Sequence, residues 1–143
     1  MTTQLTQDGH RFLARVLIGD VTPTYGLYIG YSNKAVATAP DANLEYFEQL
    51  ANGTSTGYAR IPILSASLLE NDILFTGMLT SADLIGGKPT RNSVLTTATL
   101  VNLGQTQAND IFIYNAVLQQ PVKVVDGTYI TVHVRMSLGS YNA

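Results

Sequence analysis

The sequence predicts a mainly β protein, a β-sandwich or jelly roll with one short helix and an N-terminal arm. Short β-branched or aromatic runs recur at even spacing, and Gly, Pro, Asn and Asp joints separate them. The final run, Tyr129 to Leu138, alternates apolar and polar side chains along its whole length. Hydrophobic residues make up 45% of the 143, which excludes intrinsic disorder. A chain of 15.4 kDa buries about two-thirds of its surface as one domain. The expected organisation is an arm over residues 1–10 and a single β-sandwich over residues 11–143.

Met1 to His10 is polar and rich in Thr and Gln. It has neither the basic start nor the apolar stretch of a secretory signal, so it reads as an arm that orders against a partner. Arg11 to Ile18 is the expected first strand, closed by Gly19-Asp20 and the turn Thr22-Pro23-Thr24. Tyr25 to Tyr31 is an aromatic strand interrupted by glycine. Asp41 to Leu50 is the expected helix: Pro40 and Asp41 mark its start, and Leu44, Phe47 and Leu50 recur at helical spacing. Asn52-Gly53-Thr54 formally matches a glycosylation acceptor but is better explained as the turn that ends this helix.

Tyr58 to Leu64 is a strand whose Pro62 argues for an edge or a bulge. Ile73 to Met78 is another strand, and Thr80 to Asn92 a loop. Val94 to Leu103, Asp110 to Leu118, Val122 to Val125 and Tyr129 to Leu138 are the remaining strands, with turns at Gly104-Gln105, Gln119 to Pro121 and Asp126-Gly127. In the last strand Ile130, Val132, Val134, Met136 and Leu138 share one face. Tyr129, Thr131, His133, Arg135 and Ser137 share the other, which is wet or at a contact. Ile111 to Leu118 is apolar on both faces, so it is either sandwiched or part of a subunit seam.

Charge restricts the function classes. Charged residues are 13% and the net charge is −2, about half the ordinary ~25% charged fraction. Eight scattered Lys and Arg supply no basic stripe for nucleic acid. No apolar run approaches the ~20 residues that span a bilayer as a helix. A sparsely charged surface points to burial by other subunits.

The chemistry-bearing residues are few. There is no Cys and only His10 and His133, which excludes a thiolate metal site and any H-x-x-x-H pattern. Neither His has a nucleophile elbow, G-x-S-x-G, to work with. Glu45/Glu48 and Glu70/Asp72 are the nearest carboxylate pairs. Such pairs do glycosidase chemistry, but a solvated face is the commoner explanation. Gly86-Gly87-Lys88 is not a phosphate loop, because Ala82 stands where the first Gly is required and Pro89 where Ser or Thr is. Tyr25, Tyr28 and Tyr31 offer either a stacking platform for a glycan or strand packing, and packing fits their spacing better. No catalytic, metal or cofactor residue is expected, and no cofactor. The expected contact residues for a homo-oligomer or larger particle are Thr2, Thr3 and Leu5 in the arm, Phe112 and Tyr114 on the double-faced strand, and His133 and Arg135 on the polar face.

Gly57-Tyr58-Ala59-Arg60 opens a strand. Much later, Asp110 to Val117 is followed by a short Val-rich strand, then Asp126-Gly127-Thr128 and the closing strand Tyr129 to Leu138. In this order and spacing the sequence resembles tailed-bacteriophage virion structural proteins of the head decoration (cement) or fibre-like kind, over about Tyr25 to Leu138. The resemblance implies a non-enzymatic β protein that forms a homo-oligomer, commonly a trimer. It implies binding to the major capsid protein on the capsid surface of the virion after assembly in the host cytoplasm, with no nucleic-acid or membrane partner. A tail, neck or fibre-adaptor protein with a glycan-binding face is the alternative. A carbohydrate-active enzyme using Glu45 and Glu48 is the reading from another class.

Overall fold

The computed structural model describes residues 4–30, 58–85, 94–123 and 129–137. The expected helix over 41–50, the expected turn at 52–54, the Gly-Gly-Lys loop, Tyr31, Glu45, Glu48, Thr2, Thr3 and Leu138 lie outside the described residues.

The architecture is mainly β, with two antiparallel sheets and one short helix. β1 is Gln4–Leu5, α1 Gln7–Leu17, β2 Tyr25–Gly30, β3 Tyr58–Pro62, β4 Ser65–Leu69 and β5 Asp72–Leu79. β6 is Leu84–Ile85, β7 Val94–Asn102, β8 Ile111–Lys123 and β9 Ile130–Met136. The larger sheet runs β1-β8-β7-β2-β3-β6 and the smaller β4-β5-β9. Leu27, Ile29, Ile61, Leu100 and Tyr114 of the first share one apolar core with Phe75, Leu79, Val132, Val134 and Met136 of the second. No helix among the described residues is long and apolar enough to cross a membrane.

The N-terminus differs from expectation. Arg11 to Ile18 is not a strand but most of α1. Gly9 and Phe12 are buried, and Leu13 and Val16 pack beside them, a helical stripe rather than a two-residue alternation. The start is fixed by Thr6, whose side-chain oxygen accepts the Gly9 N–H at 2.8 Å while its hydroxyl donates to the Phe112 carbonyl at 2.6 Å. At the other end Gly19 takes φ +78°. Its N–H reaches the Val16 carbonyl and that of Asp20 the Arg15 carbonyl, a Schellman stop that needs the left-handed residue. The expected arm is likewise drawn into the domain from Gln4 onward: Gln4 and Leu5 pair with Asn115 and Tyr114 of β8. Strand addition, the action expected of an arm on a neighbour, occurs here within the chain.

One strand differs in extent, and two, β4 and β6, are additional, β6 lying within the loop expected from Thr80 onward. Asp110 to Leu118 and Val122 to Val125 are expected to be separate, but Ile111 to Lys123 is one strand, β8. Both ends keep the same partner, since Val117 faces Thr97 and Val122 faces Leu95. The Gln119 to Pro121 joint is absorbed as an irregularity in one ladder. β4, Ser65–Leu69, is an additional strand; its Ser-Ala-Ser-Leu-Leu has no β-branched or aromatic residue to announce it. It joins β5 through Glu70-Asn71, with Glu70 in the left-handed region at φ 57°. β2, β3, β5, β7 and β9 fall where the sequence puts them.

Candidate contact surface

The outward face of the smaller sheet gathers the polar side of β9. Its register sets His133 against Thr76, Arg135 against Leu74 and Thr131 against Met78. β5 in turn sets Thr76 against Ser65, Leu74 against Ser67 and Asp72 against Leu69. Alternation places all ten of these residues on one face. The His133 Nδ1 lies 3.2 Å from the Thr76 hydroxyl. The Arg135 Nε donates to an Asp72 carboxylate oxygen at 2.6 Å, across one diagonal of the sheet. Asp72 is committed to Arg135, so among the described residues the printed partner of the His133 ring is the Thr76 hydroxyl and not a carboxylate. His133 also borders a cleft of about 450 Å³ between Gln120 to Lys123 of β8 and Ile130 to His133 of β9.

β4 extends this surface beyond the core. All five of its residues are exposed, on both faces. Leu68 is 80% exposed and the adjoining Leu64 61%. Among the described residues β4 pairs only with β5, so its far side is an open strand edge.

Only part of the expected contact set lies on this surface. His133 and Arg135 do. Tyr114 does not: it is 3% exposed, and its hydroxyl accepts the Ser137 N–H at 3.1 Å inside the core. Leu5 is half-buried opposite Tyr114, packed against the same core. Phe112 is half-buried with its ring 4.8 Å from that of Tyr28. Ile113, Tyr114, Ala116 and Leu118 of β8 thus all join the chain's own core, and Phe112 packs on the Tyr28 cluster. Of the three tyrosines, the two described pack within the fold, as their spacing favours. Tyr25 and Tyr28 are three residues apart on a strand and face opposite ways. Tyr25 meets Phe75 in the core, and Tyr28 is fully buried, stacked on Tyr58 with centroids 5.6 Å apart. His10 is exposed on α1.

A buried charged cluster on the other side of the larger sheet was not foreseen. The Asp110 side chain, wholly shielded from water, receives the Arg60 Nε at 2.6 Å and Nη2 at 2.8 Å. It also receives the Tyr28 hydroxyl at 2.5 Å and the Gly104 N–H at 2.7 Å. Arg60 further donates to the Gly104 carbonyl at 3.2 Å, and Gln107 to the Tyr58 hydroxyl at 2.8 Å. Burial alone raises the Asp110 pKa, but the hydrogen bonds from Arg60, Tyr28 and Gly104 outweigh it and hold the carboxyl below its ordinary value. Burial first, then the hydrogen bond to Asp110 and after it the Asp110 charge, push the Tyr28 phenol well above its usual value. Four donors meet the carboxylate's acceptor sites, so the cluster works as a clamp. It ties the loop between β7 and β8 onto β2 and β3.

Among the described residues no group of three or more His, Asp or Glu is placed to hold a metal ion. No family model matches the chain, and no curated protein or solved structure matches it.

Proposed function

We propose that this chain acts by contact, as a virion structural protein of a tailed bacteriophage that decorates the assembled head as a homo-oligomer and stabilises it. Two things support the reading: the sequence resemblance described above, of which the separate Val-rich strand is absorbed into β8, and the surface formed by β4, β5 and β9. The observation that carries it is β4, an uncharged strand with every residue exposed. It stands beside the face that bears His133 and Arg135. An edge of this kind gains free energy by pairing with another polypeptide. Binding the shell only when assembled stabilises it by mass action, multiplied over many copies, and a trimer would engage three capsid subunits together.

Fractionation of native particles tests this. Heads and tails are separated by sedimentation and the chain is located by immunoblot. The expected result is co-sedimentation with heads, weakened when Arg135→Ala and His133→Ala are combined. Recovery with tails would move the protein to the tail or neck, and recovery with neither would end the virion reading.

A further inference from the structure

We propose that the cleft between β8 and β9 is a ligand site for a hydroxylated carboxylate the size of a sugar acid, with Lys123 receiving the carboxylate. The inference goes beyond the proposed function and needs neither an oligomer nor a capsid.

The cleft, about 450 Å³, falls within the range of small-molecule sites, about 300–1,000 Å³. Its two walls are strands that do not pair with each other. Val122 and Lys123 face Leu95 and Val94 of β7, whereas Ile130, Thr131, Val132 and His133 face Leu79, Met78, Gly77 and Thr76 of β5. Among the described residues β1 reaches β8 only at Tyr114 and Asn115, and β9 pairs only with β5. Each wall is therefore fixed by one ladder and leaves the N–H and C=O of alternate residues on its other edge unpaired. Walls held in this way are pre-organised, so a ligand orders little on binding.

The lining selects the ligand. Lys123 is the only fixed charge in it, and none of the lining residues is Asp or Glu. Among the described residues no carboxylate pairs with Lys123, and Asp72 on the adjoining face is taken by Arg135. One cation complements one carboxylate. The Gln120 amide and the Thr131 hydroxyl both donate and accept, as alcohol groups require. The Thr76 hydroxyl lies 3.2 Å from the His133 Nδ1, which leaves Nε2 to meet a ligand. Buried Val122 and Val132, with Pro121 and Ile130, add apolar surface for the C–H groups of a ring. A small inorganic anion would use the lysine and leave most of this lining idle. A neutral sugar would leave Lys123 without a counter-charge.

The purified full chain is titrated separately with D-glucuronate, D-glucose, acetate and inorganic phosphate, as sodium salts where charged, and followed by backbone amide NMR. Glucuronate is expected to give saturable shifts centred on Gln120 to Lys123 and Ile130 to His133. Glucose, acetate and phosphate are each expected to bind at least about tenfold more weakly. Lys123→Ala is expected to weaken glucuronate binding at least about tenfold, and Lys123→Arg, which keeps the charge, to retain most of it. Lys123 is exposed, and unchanged circular dichroism shows that both variants fold. Absence of saturable glucuronate binding, equal affinity for any of the other three probes, indifference to Lys123→Ala, or shifts centred elsewhere would each overturn the proposal. Head attachment is a separate measurement, so the virion reading stands or falls apart from these results.

Discussion

Asp110 accepts four hydrogen bonds from three residues that lie up to 82 positions away along the chain. Removing one member of a buried pair strands the other. Asp110→Asn is therefore expected to cost about 3 kcal/mol, measured by urea unfolding. Tyr28→Phe removes a single charge-assisted bond and is expected to cost about 1.5 kcal/mol. The same cluster sets a pH dependence. Because the native Asp110 pKa is depressed, the unfolded chain takes up a proton first as pH falls. Stability from this group is present above about pH 4 and is lost below it. Tyr28 is shifted upward, so its contribution is whole below about pH 10 and fades as pH rises beyond that. Unfolding midpoints across pH are expected to flatten on the acid side in Asp110→Asn and on the alkaline side in Tyr28→Phe. Neither Arg60 nor Asp110 carries a sequence pattern that announces the pair, because fifty residues separate them. Nothing in the local periodicity of either neighbourhood connects them.

At the level of elements, α1 depends on its first turn. Thr6→Ala removes both the cap to Gly9 and the bond to the Phe112 carbonyl, an expected loss of about 1–2 kcal/mol in thermal or chemical unfolding. Gly9→Ala is expected to destabilise as well, although alanine is intrinsically the better helix former by about 1 kcal/mol. A Cβ there would overlap the Ile113 carbonyl oxygen, which is backbone and cannot yield cheaply. A Gly9→Ala variant more stable than wild type would show that α1 can lift from β8. The apolar run Arg11 to Ile18 is short enough to satisfy a strand period and a helical one together. Thr6, one turn upstream in residues whose polarity suggested an arm, fixes where the helix starts, and burial of Phe12 against the sheets selects the helical period. By contrast β9 was legible in detail: Val132, Val134 and Met136 are buried and Thr131 and His133 exposed, as the alternation requires.

For the molecule as a whole, the N-terminal segment from Gln4 onward belongs to the fold rather than only to a partner. β1 pairs with β8, and Thr6 ties α1 to the same strand. Deleting residues 2–10 is accordingly expected to lower the melting temperature sharply, by at least about 10 °C, with loss of the β1 pairing, the cap and the buried approach at Gly9. A truncated chain that melts like the wild type would restore the idea of an independent arm. The low charge of the chain now has a specific location in the described structure: an uncharged strand edge with Leu64 and Leu68 in water. The solution mass of the intact chain reads out whether that edge is buried by a sibling.

By itself the sequence determined the mainly β class and the positions of β2, β3, β5, β7 and β9, because alternation, β-branched runs and turn residues are local signals carried by neighbouring positions. Only the tertiary structure decided that Arg11 to Ile18 coils into a helix, that the two halves of β8 are one strand, that Tyr114 turns inward, and that Arg60 and Asp110 meet. Each of these depends on free energy gained from a partner far along the chain: a sheet to cover Phe12, a common neighbour in β7, a core for Tyr114, and a counter-charge brought close by three strands packing side by side.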